Sequence, residues 1–113
     1  MDKKIEISWM LDFYGKLLTE KQLGIMEMYF NEDSSLSEIA SSLGVSKQAV
    51  HDIIHRSEAI LYEYEKKLGL LEQFQYMEKQ LNDISKRLRT CNNENEKQAI
   101  CNEIDKLITM WEE

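Results

Sequence analysis

The sequence predicts an all-α protein: a helix-turn-helix bundle followed by a C-terminal helical hairpin. Three observations carry this expectation. The 113-residue chain has no proline and only four glycines. It is rich in Leu, Ile, Glu, Lys, Gln and Met, which give up little side-chain freedom in a helix. Its apolar residues also recur at three- and four-residue spacing almost throughout. A chain of this length buries one modest core but not two independent ones. The expected organisation is therefore a four-helix domain over residues 1–69, with the helix-turn-helix at 36–55, and an appended hairpin over 70–113.

Ile5, Trp9, Met10, Phe13, Tyr14, Leu17 and Leu18 describe one buried face of a first helix ending near Leu18. Thr19-Glu20-Lys21-Gln22 then reads as a capping box, in which hydroxyl and amide satisfy the free N–H groups that open a new helix. Leu23, Met26, Tyr29 and Phe30 form the buried stripe of that second helix, and the aromatic residues of both helices are spaced as core. After the polar break 31–34, Ser35-Leu36-Ser37-Glu38 is a second capping box, opening a short helix to Leu43. Gly44 can adopt the left-handed conformation that ends it, and Ser46 can cap a fourth helix. That helix runs through Val50, Ile53 or Ile54, Ser57, Ile60, Leu61, Tyr64 and Leu68 to Gly69, with Lys66 and Lys67 suited to its C-terminus. A heptad seam follows at Leu70, Phe74, Met77, Leu81, Ile84, Leu88 and Cys91. Ala99, Ile100, Ile104, Leu107, Ile108 and Trp111 mark a last helix, capped by Asn93 or Asn95, and Glu94, Glu96, Glu112 and Glu113 read as solubilising charges. So narrow a seam buries little alone, so the hairpin either docks on the first four helices or pairs with a second copy, giving a homodimer.

Leu36 to His55 holds a suitable residue at each constrained place of a helix-turn-helix. Ala40 is small where the helices cross, Gly44 permits the tight turn, and Ile39, Leu43, Val45, Val50 and Ile53 are expected to point inward. In such a unit the second helix enters the DNA major groove, and its N-terminal residues reach base edges. The candidate DNA-binding residues are accordingly Ser46, Lys47, Gln48, His51, Asp52, His55 and Arg56. Gln48 suits a bidentate pair with adenine and Lys47 suits guanine or a phosphate. Arg56 and the histidines suit backbone phosphates, and Asp52 opposes binding unless it accepts from a cytosine amino group. From Ser35 to Ser57 the charges Lys47 and Arg56 are cancelled by Glu38 and Asp52. With a whole-chain net charge of −7, DNA affinity is expected to be modest. The helix-turn-helix as a packing unit or protein-contact surface is the other reading.

The run from Leu17 to Leu68, with Leu18-Thr19-Glu20-Lys21-Gln22, Ser37-Glu38-Ile39-Ala40 and Val45-Ser46-Lys47-Gln48-Ala49-Val50, resembles the fourth region of bacterial sigma factors, a bundle without a β wing. The chain as a whole, from Trp9 and Tyr14 through the hairpin, is more similar to the YlxM family of small helix-turn-helix proteins. That resemblance implies a gene beside that of the signal recognition particle GTPase and a regulatory role in that protein-targeting pathway. Sigma recognition helices are typically arginine-rich, whereas this one offers Ala49, His51 and Asp52, so promoter recognition of the sigma type is not carried over.

Lys79, Lys86, Arg87 and Arg89 are the densest basic group, a solvated helix face or a phosphate or RNA contact. His51-Asp52-Ile53-Ile54-His55 imitates the HExxH zinc pattern, but aspartate is shorter than the glutamate that chemistry uses, and no third ligand is evident. Cys91 and Cys101 are too widely spaced for a CxxC motif, so reduced thiols are expected, with a disulfide as the alternative. There is no Gly-rich phosphate loop and no nucleophile-base pair. No stretch approaches the roughly 18 apolar residues of a membrane span, and no signal peptide is expected after Met1-Asp2-Lys3-Lys4. The expectation is a cytoplasmic, non-enzymatic regulator that binds nucleic acid without cofactor or metal and dimerises through its hairpin. Its rival is an adaptor of the signal recognition particle GTPase, whose acidic surface meets a basic partner.

Overall fold

The computed structural model of the chain describes residues 2–110; Trp111, Glu112 and Glu113, placed above in the last helix and among the solubilising charges, lie outside the described residues. Among the described residues every regular element is helical: α1 Lys3–Tyr14, a 3-10 turn Gly15–Leu17, α2 Glu20–Phe30, α3 Leu36–Leu43, α4 Lys47–Leu68, α5 Leu70–Thr90 and α6 Glu94–Met110. The chain divides between Leu71 and Glu72 into two compact units.

Side-chain caps set the starts of the first four helices. The Asp2 carboxylate accepts the Lys4 N–H at 3.1 Å. At α2, Thr19 and Gln22 exchange hydrogen bonds of 3.0 and 3.1 Å, and at α3, Ser35 and Glu38 exchange two of 3.0 Å, so both capping boxes are formed. The Ser35 N–H, followed by the Ser35 hydroxyl, holds the Glu38 carboxyl below its usual range. α1 ends four residues short of Leu18 for a local reason. Thr19 must be extended to cap α2 (φ −66°, ψ 158°), and Leu18 is extended as well (φ −83°, ψ 161°), so the first helix unwinds through the 3-10 turn before α2 begins. In the loop after α2, Asp33 takes a left-handed conformation (φ 56°), which a short polar side chain tolerates better than most, and its carboxylate pairs with Lys4.

The first unit's core comes from Ile7, Met10, Leu11 and Tyr14 of α1, Ile25, Met26 and Phe30 of α2, Ile39 and Ala40 of α3, Val50, Ile54 and Leu61 of α4, and Leu71. Each fully buried Ile, Leu or Met among them contributes roughly 1.5–3 kcal/mol. α1, α2 and α3 all pack against α4. Several residues expected in the interior are instead exposed: Ile5 by 50%, Leu17 by 54%, Leu43 by 41% and Leu68 by 51%. Ile5 and Leu68 are near the outer ends of their helices, Leu17 lies in the 3-10 turn, and Leu43 is the last residue before Gly44. Within α4 it is Ile54 that is buried, while Ile53 is only half-buried.

The junction between α4 and α5 is held by a buried polar network. Gly69 ends α4 in the left-handed conformation (φ 64°). The Tyr14 hydroxyl donates to the Glu65 carboxylate at 2.7 Å and accepts the Leu70 N–H at 3.0 Å; the same carboxylate oxygen accepts the Leu71 N–H at 2.9 Å. Tyr14, 56 residues away, and Glu65, one turn before the end of α4, thus satisfy the free N–H groups that open α5. Burial, then the hydrogen bond to Glu65, raises the pKa of the Tyr14 phenol.

In the second unit Ile84, Ile100 and Leu107 are buried, with Met77, Cys91 and Ile104 packed around them. Asn93 caps α6, its side chain accepting the Glu96 N–H at 2.8 Å. The heptad seam is only half used: Met77, Ile84 and Cys91 face the interior of the hairpin, whereas Leu81 and Leu88 are each 49% exposed. Leu81 and Leu88 lie to one side of that inward-facing line, about 60° and 40° from Ile84. Cys91 and Cys101 are free thiols.

Replacing Tyr14 with Phe keeps the ring in the core but removes the hydroxyl that serves both Glu65 and Leu70. The expected loss is about 1–3 kcal/mol, the cost of leaving a buried N–H and a carboxylate short of a partner, read as a lower urea midpoint at unchanged slope. Burial, followed by a hydrogen bond to Glu6, pushes the Tyr62 phenol up to about 12 from its ordinary 10.0. The folded state therefore holds this proton more tightly than the unfolded chain. Its contribution is complete below pH 10 and is lost as pH rises from 10 towards 12. Urea titrations across that window should show falling stability in the native chain and a shallower fall in Tyr62→Phe.

Candidate nucleic-acid interface

The turn between α3 and α4 has the backbone that its sequence demands. Gly44 sits at φ 68°, ψ 31°, where a Cβ would be strained, and its N–H donates to the Ala40 carbonyl. The Val45 N–H reaches the same carbonyl at 3.1 Å. Ser46 is extended (φ −75°, ψ 154°), and its hydroxyl accepts the Ala49 N–H at 3.0 Å. Ala40 is buried, as the close approach of two helices requires. These features set the start of α4, which runs for 22 residues, at the tight turn after α3.

Val50, Ile54, Ser57 and Leu61 are the buried stripe of α4. At about 100° per residue, Gln48, Asp52, His55 and Arg56 lie on the opposite side and His51 at its margin, whereas Lys47 is nearly in line with Ile54 and is uncovered because it is the first residue of the helix. All six candidates are exposed, as is Ser46. The seven residues named from the sequence are thus all exposed at the start of α4 and over its first two and a half turns, five of them on its outward face and Ser46 and Lys47 at its open end.

Their electrostatics are less favourable than their placement. The Gln48 amide donates to the Asp52 carboxylate at 2.9 Å, so the residue best suited to read adenine is held by its own helix. His51 Nδ1 lies 3.6 Å from the same carboxylate oxygen. The His51 and His55 rings are 4.2 Å apart between centroids, one turn apart on the same face of the helix. Both histidines line a cleft of about 600 Å³, which also includes Lys3, Lys4, Asp33 and Glu58. Its lysines are engaged, Lys3 with Glu58 at 3.3 Å and Lys4 with Asp33. The sequence gives no sign of this neighbourhood, because α1 and α4 are distant along the chain and each lysine resembles an ordinary solvated residue.

The second basic group lies in the other unit. Arg87 bonds Glu103 on α6 and reaches Asp83 at 3.4 Å; the Glu103 hydrogen bond, the largest influence, raises its pKa further. Lys79 and Lys86 border a shallow hollow with Glu78 and Asp83, and Arg89 is exposed. Acids are interleaved with the bases, so no uniform cationic path runs along α5.

An all-helical bundle that presents one exposed helix face through a tight glycine turn defines a helix-turn-helix protein. Residues 1–103 match the family described as "Putative helix-turn-helix protein, YlxM / p13 like", and the chain belongs to that family. Among similar proteins, the UPF0122 protein of Shouchella clausii is 47% identical over 88 residues, 78% of this chain and 81% of the relative. That of Halalkalibacterium halodurans is 51% identical over 75 residues, 66% and 69% of the respective chains. That of Symbiobacterium thermophilum is 48% identical over 82 residues, 73% and 77%. No described helix is long and apolar enough to cross a membrane.

Asp52→Asn should reveal which way this face is tuned. Removing the one carboxylate on the outward surface is expected to raise affinity for a random duplex about 3- to 10-fold at low salt, with helicity unchanged by circular dichroism. A fall in affinity would instead make Asp52 a contact to a base.

Proposed function

We propose that this protein is a nucleic-acid-binding regulator that places the first turns of α4 in the major groove of DNA, with modest affinity. The observation that carries the reading is the collection of Ser46, Lys47, Gln48, His51, Asp52, His55 and Arg56 at the exposed start of α4, directly after a helix-turn-helix bend. Lys47 and Arg56 anchor to phosphates on either side of the groove, and Gln48 reads a base once it leaves Asp52. The near-neutral charge of the face keeps the sequence-independent part of the binding small. Resemblance to the YlxM family supports the protein-targeting pathway of the signal recognition particle as the place of regulation, in the cytoplasm.

A second reading has its own support. The pairing of Gln48 with Asp52 and the half-exposed Leu81, Leu88 and Ile108 suit an adaptor that meets a protein partner, the targeting GTPase in the first instance. In that case the helix-turn-helix is a scaffold.

Fluorescence anisotropy of a labelled random duplex at low salt and pH 7 separates the two. Micromolar binding is expected, abolished by Lys47→Glu/Arg56→Glu, with affinity falling by roughly one decade per decade of salt for each phosphate contacted. Absence of binding by the native chain overturns the nucleic-acid reading in favour of the adaptor.

A further inference from the structure

The two edges of the α5–α6 hairpin are built differently. Taking Ile84 as the inward direction of α5, Arg87 lies about 60° to one side, while Leu88 and Leu81 lie about 40° and 60° to the other. Taking Ile100 as the inward direction of α6, Glu103 lies about 60° to one side, and Ile104 and Ile108 lie about 40° and 80° to the other. The ion pair between Arg87 and Glu103 shows that residues displaced in the same sense on the two helices share an edge. One edge is thus closed by charge. The other opens Leu81 and Leu88, each 49% exposed, and Ile108, 56% exposed, to solvent, with Ile104 half-buried beside them.

We propose that this open edge is the interface with a second copy of the same chain, so that two hairpins close into a four-helix bundle. Three features point to a copy of itself. The exposed α5 leucines are seven residues apart, and Ile104 and Ile108 continue the apolar stripe on α6. A partner in coiled-coil contact must therefore present the same repeat over the same length, as an identical hairpin does. On the side of the open edge α5 carries an acid in its first half, Glu78, and a base in its second, Arg89, about 120° and 140° from Ile84. A two-fold axis near Leu81, the middle of the helix, runs the two α5 helices antiparallel. It sets the half of each that carries Glu78 against the half of the other that carries Arg89. The area is also adequate. The 21 residues of α5 span about 30 Å at about 1.5 Å per residue, and two helices side by side are about 20 Å wide. The face offers on the order of 600 Å² per copy, near the roughly 800 Å² per partner of a standard interface.

The inference does not rest on nucleic-acid binding, because the mass of the particle is read without any duplex. Light scattering behind size exclusion, on the full chain of 13.4 kDa at tens of micromolar, should report twice that mass, and the melting temperature should rise with protein concentration. Leu81→Glu and, separately, Ile108→Glu should weaken association roughly a hundredfold or more and return the mass to one chain. Both side chains are half-exposed in the single chain, so helicity should be retained; the concentration dependence of melting in the native protein needs no variant at all. A native chain that stays monomeric with a concentration-independent melting point overturns the proposal, as does a dimer that both variants leave intact. A monomer that binds only another protein through this edge gives the face to the adaptor reading.

Discussion

Val50, Ile54, Ser57 and Leu61 recur at three- and four-residue spacing along α4, and each is almost wholly removed from solvent. Because α1, α2 and α3 each pack on this helix, the dry stripe fixes more than one contact. It sets the rotation of α4 about its own axis, and with it which side chains face outward. Turning the helix by one residue, about 100°, would bring His51 or His55 into the core and expose Val50 or Ile54. The penalty for burying an imidazole without a partner, added to the lost apolar burial, exceeds several kcal/mol. The outward face is therefore a consequence of the inward one. Ser57 shows the limit of this economy. Its hydroxyl is buried with no hydrogen-bond partner among the described residues, so the dry stripe is kept at the cost of one unsatisfied polar group.

The same packing logic explains why placement and charge diverge at the outward face. A core specifies which positions are exposed but not what occupies them, and here the occupants neutralise one another. Asp52 takes the Gln48 amide and stands beside His51; in the neighbouring cleft, Glu58 and Asp33 take Lys3 and Lys4. Contacts of this kind between exposed groups contribute about 0–1 kcal/mol each. They are easily exchanged for a phosphate or a base, and they lower the net gain when that happens. A helix face arranged this way offers a polyanion little net charge, so under the proposed function geometry counts for more than charge.

Most of the fold was legible in the sequence because its signals were local. Thr19 with Gln22, Ser35 with Glu38, Gly44, Ser46 and Gly69 each act within a few residues, and helix boundaries follow from them. The exposure of Gln48, His51, Asp52, His55 and Arg56 was legible for the same reason, since periodicity sorts them from the buried stripe of α4, and Ser46 and Lys47 are exposed because they open the helix. Long-range arrangements left no such trace. Tyr14 reads as one more core aromatic, and nothing near it announces that its hydroxyl serves Leu70 and Glu65, more than fifty residues away. Lys4 and Asp33 meet only because α1 and the loop after α2 are brought together. The heptad seam was visible, but not its division into a used and an unused series. Choosing between two series a few tens of degrees apart depends on where the second helix lies.

That unused series bears on how a weakly charged reading helix could act at all. Under the proposed function one copy of the α4 face has only Lys47 and Arg56 to offer to phosphates, so the affinity expected of it is limited. Two copies held together convert the second encounter with a duplex into an intramolecular one, and avidity can then exceed the single-site affinity by two or more orders of magnitude without any new contact. Selectivity follows from the same arrangement, because only sites with two suitably spaced halves engage both copies. The neutrality of α4 and the apolar edge of the hairpin are then complementary. The first keeps a single copy from binding wherever there is phosphate, and the second supplies the cooperation that the first withholds.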